Sequence, residues 1–148
     1  MGASVSSGGT VSPGASAGVL TITGNYTQTA AGALNIEIGG RTFGTEFDRL
    51  AVSGTANLNG TLNLARTNGF SPGTNDTFQI LTCGTRNGTF ATVTGREAGN
   101  NLYFNPTYPA NGVTLEVRDG TPSFRADRLA LVSGEFQFRV QGVIGETY

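Results

Sequence analysis

Gly54-Thr55-Ala56-Asn57-Leu58-Asn59 runs directly into Gly60-Thr61-Leu62-Asn63-Leu64-Ala65. One six-residue unit, Gly-Thr-x-Asn-Leu-x, is written twice with no spacer. A six-residue step is too short for an antiparallel hairpin of two useful strands. It suits successive sides of a coiled rung, each side ending at a Gly or Asn corner. Apolar residues then point into the coil, while Thr and Asn at matching positions face out and can stack as ladders.

The same alternation extends in both directions. Leu20 and Ile22 share a face, and so do Leu34, Ile36 and Ile38, with Asn35 and Glu37 opposite. Phe78 with Ile80, Leu102 with Phe104, Val113 with Leu115 and Val117, and Phe136 with Phe138 and Val140 continue the series. Period-two alternation is the strand signature. Gly39-Gly40, Asn59-Gly60, Asn68-Gly69, Asn87-Gly88 and Asn111-Gly112 punctuate the runs with residues that adopt left-handed angles at low cost. About eleven short strands at this spacing predict an all-β protein. The one helical candidate, Ala126 to Val132, reads equally well as a strand. A right-handed parallel β-helix and a β-sandwich share this alternation. The duplicated hexapeptide favours the coil.

Composition narrows the chemistry. The 148 residues include 23 Gly, one Cys, no His and no Trp, and charged residues make up only 13%. All nine basic residues are Arg. Without His there is no Ser-His-Asp or Cys-His triad and no imidazole metal site. Without Lys there is no P-loop lysine or Schiff base. A single Cys makes no internal disulfide and no Cys-rich metal site. A net charge of −1 lacks the basic footprint of a nucleic-acid binder. No apolar run is long enough to span a membrane as a helix. The Gly/Ser-rich start, Met1 to Gly18, has neither the basic nor the apolar region of a signal peptide.

Several segments carry a family resemblance. Gly9-Thr10-Val11-Ser12-Pro13-Gly14 resembles the rungs of bacterial autotransporter-type passenger domains. Leu20 to Gln28, Ala33 to Gly40, Phe47 to Gly54, Asn75 to Thr82 and Gly88 to Ala91 are similar to strands of that family. The resemblance covers about residues 8 to 118. The resemblance implies a right-handed parallel β-helix that is exported and either displayed or secreted, and it carries no catalytic residue. At about twenty residues per rung, around five turns are expected. These 148 residues contain no stretch resembling a β-barrel translocator, so a whole autotransporter is not expected in them.

Residues 119–148 differ. Asp119-Gly120-Thr121-Pro122 reads as a linker. Gly134 to Tyr148 resembles the opening hairpin of a small β-sandwich module. The expected division is therefore 1–118, a β-helix segment, and 119–148, a linker and truncated C-terminal β-hairpin. A lone hairpin is marginal in water, so Phe136, Phe138 and Val140 are candidates for self-association, and a homo-oligomer through strand edges is expected.

Candidate chemistry is sparse. Gly14-Ala15-Ser16-Ala17-Gly18 matches the G-x-S-x-G elbow but lacks a following helix and a His base. Glu46 and Asp48 lie two apart and can share a strand face, the arrangement of paired carboxylates in glycoside hydrolysis, although Arg41 and Arg49 nearby suggest salt bridges. Glu37 and Asp76 are placed similarly, but no calcium-repeat motif accompanies them. Cys83 reads as a small buried hydrophobe. Thr21/Thr23, Thr27/Thr29 and Thr92/Thr94 would suit an ice-binding ladder but have no fixed period. Tyr103 and Tyr108 lie near two prolines and can grip a sugar by stacking. No cofactor is expected.

Three readings follow. The first is a non-catalytic structural or adhesive segment of an exported bacterial surface or secreted protein, located at the cell surface or outside the cell, with a polysaccharide or cell-surface partner. The second is a carbohydrate-binding module or a remnant of a β-helical polysaccharide-active enzyme, using Tyr103, Tyr108, Glu46 and Asp48. Ice binding is the third.

Overall fold

A computed structural model describes residues 2–120, 130–132 and 135–137. The duplicated hexapeptide falls on two successive sides of a coil. The first copy holds β7 (Thr55–Leu58) and the second holds β8 (Thr61–Arg66), and these strands belong to different sheets.

Three sheets form the walls. The first stacks β1 (Val5–Ser7), β4 (Tyr26–Gln28), β7 and β10 (Thr85–Gly88). The second stacks β2 (Thr10–Val11), β5 (Ala33–Ile38), β8 and β11 (Thr92–Thr94). The third begins with β3 (Val19–Ile22), β6 (Arg49–Val52) and β9 (Thr77–Thr82). Every pairing among these eleven strands is parallel. The architecture is an all-β, right-handed parallel β-helix, and the sandwich alternative is not the fold.

In-register stacking places like residues over one another. Val11, Leu34, Leu62 and Val93 form one inward column. Leu20, Leu50 and Leu81 form another. Leu34, Leu50, Leu62 and Leu81 are all fully buried, and each contributes about 1.5–3 kcal/mol of transfer free energy. Outward-facing amides stack as well. Asn57 Nδ2 donates to Thr27 Oγ1 at 3.1 Å, and Asn87 Nδ2 donates to Asn57 Oδ1 at 3.0 Å. On the second sheet Asn63 Nδ2 donates to Asn35 Oδ1 at 2.9 Å, and Thr94 Oγ1 donates to Asn63 Oδ1 at 2.6 Å.

These ladders correct the rung length. The first step, from Val5 to Tyr26, is 21 residues, as expected, but Thr27, Asn57 and Asn87 follow one another at 30 residues. The excess lies at one corner, where segments 12–18, 39–48 and 67–76 connect the second sheet to the third. Three rungs and two strands of a fourth therefore occupy the length expected to hold five. Phe47 and Phe70 of the insertions pack onto the main core. Phe78 meets Phe47, Phe70 and Phe104 edge-on at centroid distances of 5.3, 6.0 and 5.9 Å. Arg41 lies over Phe70 and Arg49 over Phe43.

The other corners are tight. Gly24, Gly54 and Gly84 stand one above the next, with Gly54 N–H donating to Gly24 O and Gly84 N–H to Gly54 O, each at 2.8 Å. At the next corner Gly60 has φ +66, and a Cβ there would press on the carbonyls of Thr29 and Gly32. Gln28 clamps this corner from inside. Its buried Nε2 donates to the carbonyls of Asn59 (2.7 Å), Thr61 (3.0 Å) and Gly32 (3.3 Å), while its Oε1 accepts the Tyr26 hydroxyl at 2.9 Å. Burial pushes the Tyr26 phenol up from 10.0 to about 12.

The coil does not end as a coil. β12 (Glu97–Gly99), β13 (Leu102–Thr107) and β14 (Gly112–Asp119) are antiparallel, and β14 adds to β9 at the position a fourth parallel strand would take. The resemblance over residues 8 to 118 had predicted rungs here. In the first sheet the inward column Val5–Tyr26–Ala56 finishes at Arg86. Arg86 donates from Nη2 to Tyr108 O at 2.7 Å, from Nε to Pro109 O at 2.9 Å, and from Nη1 to Gly88 O. Arg86 is half-buried, and these three carbonyls hold its guanidinium across the end of the inward column. Beyond it, β15 (Ala130–Val132) and β16 (Glu135–Gln137) pair antiparallel.

Two predictions follow from these corners. Gly60→Ala will cost about 3 kcal/mol or more in urea denaturation, because left-handed strain adds to contact with backbone. Gly69→Ala, at φ +64 with open space around it, will cost only about 1 kcal/mol. The raised Tyr26 pKa stabilises the fold fully below pH 10.0, and this contribution is lost as pH rises toward about 12. Denaturation midpoints across that range will fall in the native chain, and Tyr26→Phe will flatten the fall.

Candidate functional site

Alternation sends Asn35, Glu37 and Asn63 outward from β5 and β8. Segment 12–18 folds beside them and turns this face into a groove of about 350 Å³. Ser12, Gly14, Asn35, Glu37, Asp48 and Asn63 line it. Asn63 is engaged on both sides by the ladder. Glu37 is half-buried and its carboxylate has no ion pair among the described residues.

Asp48 is buried. Its Oδ1 accepts the Gly18 N–H and its Oδ2 the Glu37 N–H, both at 2.8 Å. One carboxylate therefore ties the first rung to the second through backbone donors. Glu46 is exposed and does a different job. Its Oε2 accepts the N–H groups of Arg41 and Thr42 at 3.0 and 2.8 Å. Hydrogen bonds from the Thr42 side chain and backbone, then from the Arg41 backbone, hold it below the usual carboxylate range. The two carboxylates anchor separate turns and face no common space. Asp76 pairs with Arg41 at 2.7 Å, and this hydrogen-bonded contact holds its carboxyl low. No group of three or more His, Cys, Asp or Glu side chains gathers to hold a metal among the described residues.

The two tyrosines are held apart in their surroundings. Tyr103 is half-buried on β13 with Arg96 5.4 Å from its ring centre. Tyr108 packs on Phe90 at 6.4 Å and lies under Arg86 at 5.4 Å. Burial raises its phenol pKa, so it behaves as a partly interior residue. Cys83 packs against the core, and burial raises its thiol pKa. Ser16 is exposed in segment 12–18, which leads into β3 and not into a helix. The Thr-x-Thr pairs are scattered. Thr21 is on the third sheet, Thr27 on the first, and Thr92 and Thr94 on the second. They make no single flat array. Phe136 lies on β16 opposite Leu131, while Phe138 and Val140 lie outside the described residues.

Sequence reasoning missed the groove, the burial of Asp48 and the inward Gln28. The Tyr26-Thr27-Gln28 alternation already carried the last signal, since it puts Tyr26 and Gln28 on one face. No helix among the described residues is long and apolar enough to cross a membrane. The chain matches no protein-family profile, and no curated protein matches it.

Asp48→Asn replaces one acceptor with a donor facing a backbone N–H. Thermal and urea unfolding will show a loss of about 1–3 kcal/mol. Glu46→Gln, at an exposed turn, will cost less than about 1 kcal/mol.

Proposed function

We propose that the chain is a non-catalytic structural segment of an exported bacterial surface or secreted protein, of the autotransporter-passenger kind, working at the cell surface or outside the cell. The observation that carries this reading is where the polar side chains are used. Gln28 holds a corner, Asp48 joins two rungs, Arg86 closes an end, and Thr27, Asn57 and Asn87 bind one another. Groups that an enzyme would aim at a substrate are here aimed at backbone or at their own neighbours. A stiff coil bridged in this way suits a spacer or adhesive stalk. Self-association through strand edges belongs to the same reading.

One observation favours a carbohydrate-binding role as the second reading. The groove over β5 and β8 offers a carboxylate without an ion pair, an amide and a hydroxyl, from Glu37, Asn35 and Ser12. Saccharides are recognised by such polar groups placed in a concave site. Tyr103, half-buried on β13 with Arg96 over its ring, is the candidate for stacking, and Tyr108, Glu46 and Asp48 complete the set expected from sequence.

Glycan-array screening separates the two. The structural reading predicts no hydrolysis of polysaccharide substrates and no glycan signal that depends on Glu37 or Tyr103. Binding that is lost in Glu37→Gln or Tyr103→Ala would establish the second reading instead.

A further inference from the structure

The chain carries four Asn-Gly pairs, at 59–60, 68–69, 87–88 and 111–112. Each is a place where the chain can react with itself. The glycine nitrogen can attack the amide carbon of the asparagine before it, because glycine has no Cβ to block the approach. Attack needs an asparagine amide and a glycine N–H that are free of other bonds, a backbone able to rotate, and access for water. The fold treats the four pairs differently.

Three of them are held. Gly60 N–H donates to Asn59 Oδ1 at 2.8 Å, so the nitrogen keeps its proton on the amide it would attack. Asn59 O accepts Gln28 Nε2 at 2.7 Å, and Gly60 is buried against the carbonyls of Thr29 and Gly32. Asn87 pairs with Asn57 in the parallel ladder, its Nδ2 donates to Asn57 Oδ1 at 3.0 Å, and Gly88 sits against Leu58 O. Gly112 is buried and its N–H donates to Pro109 O at 3.3 Å, while Asn111 O accepts the Cys83 N–H at 2.9 Å. The fourth pair is free. Asn68 and Gly69 are both exposed. They form the centre of a turn, at φ 55 and φ 64, closed by Phe70 N–H donating to Thr67 O at 3.0 Å. Asn68 Nδ2 rests beside Gly39, and Gly69 has open space where a Cβ would stand. Neither the Asn68 side chain nor the Gly69 N–H makes a hydrogen bond among the described residues. Left-handed angles strain a residue that has a Cβ, so little opposes rotation of Asn68 out of the turn.

We propose that Asn68-Gly69 is a self-modification site, at which the folded chain converts Asn68 to aspartate and isoaspartate. The Gly69 nitrogen bonds to Asn68 Cγ, the Cγ–Nδ2 bond breaks, and ammonia leaves with the proton lost from the glycine nitrogen. Solvent water then adds to either carbonyl of the five-membered imide. Breaking the new N–Cγ bond gives aspartate. Breaking the original peptide bond gives isoaspartate, with one more carbon in the backbone. Nothing is oxidised or reduced. Either product adds a carboxylate to segment 67–76, and the open space at Gly69 leaves room for the longer backbone. The modification is independent of the structural reading above.

Tryptic mass mapping of the full chain tests it. Trypsin cuts after arginine, so peptides 50–66, 67–86, 87–96 and 97–118 carry one Asn-Gly pair each. During incubation of the folded chain at neutral pH, deamidated 67–86 will accumulate at least about tenfold faster than any of the other three, whose hydrogen bonds must open first. In urea the four rates will converge, because the pairs are then alike. Asn68→Gln will abolish the fast conversion with an unchanged far-UV CD spectrum. Equal rates in the folded chain, no conversion at all, or faster conversion in another of these peptides would overturn the proposal. So would conversion of 67–86 that survives Asn68→Gln, which would place it at Asn75. None of these results bears on the structural reading, which glycan binding and turnover decide.

Discussion

In a coil of parallel strands every side chain stands over the residue one rung earlier, and this constraint governs the molecule. A position is tolerated only if its occupant can stack on its predecessor. Leucine on leucine satisfies this inside, as in the Leu34–Leu62 column. Outside, asparagine does so better than a charge, because its amide both donates and accepts, whereas like charges one strand apart repel. The Asn63–Asn35 and Asn87–Asn57 bonds are the result. The low charge content follows from the same rule.

Corners obey the constraint most strictly. In the Gly24–Gly54–Gly84 stack a carbonyl from one rung meets an N–H from the next, and a Cβ would collide at Gly24 and Gly54 and press closely on backbone at Gly84. Where a corner turns through Gly60, carbonyls would point inward without partners. Gln28 supplies the donor, and Tyr26 satisfies its remaining oxygen. Leaving such groups unpaired would cost about 1–3 kcal/mol each. The buried polar residues thus complete the backbone bonding that the sheets leave unfinished.

Much of this was legible in the sequence. The Gly-Thr-x-Asn-Leu-x duplication does mark two walls, and alternation does assign inward and outward residues for β5, β7 and β8. The rung length was not legible, because segments 12–18, 39–48 and 67–76 differ in length and blur the period. A cleaner signal lay in Gly24, Gly54 and Gly84, with Gly84-Thr85-Arg86-Asn87 as a further partial copy of the unit. The antiparallel closure was hidden because a strand's alternation does not record its direction. Asp48 escaped for another reason. A carboxylate two residues from Glu46 looks solvent-facing until the loop places backbone N–H groups around it. With Asp48 buried, the candidate site moved from that pair to the groove bounded by Glu37.

The most direct test of the account is the spacing of the rungs in solution, read from nuclear Overhauser contacts in an isotopically labelled chain. Parallel stacking predicts backbone contacts between Thr55 and Thr85, between Asn57 and Asn87, and between Asn35 and Asn63, with none of the close Cα–H pairs of antiparallel strands among β4–β11. Close antiparallel Cα–H contacts within those strands, or no contacts at the 30-residue step, would contradict it.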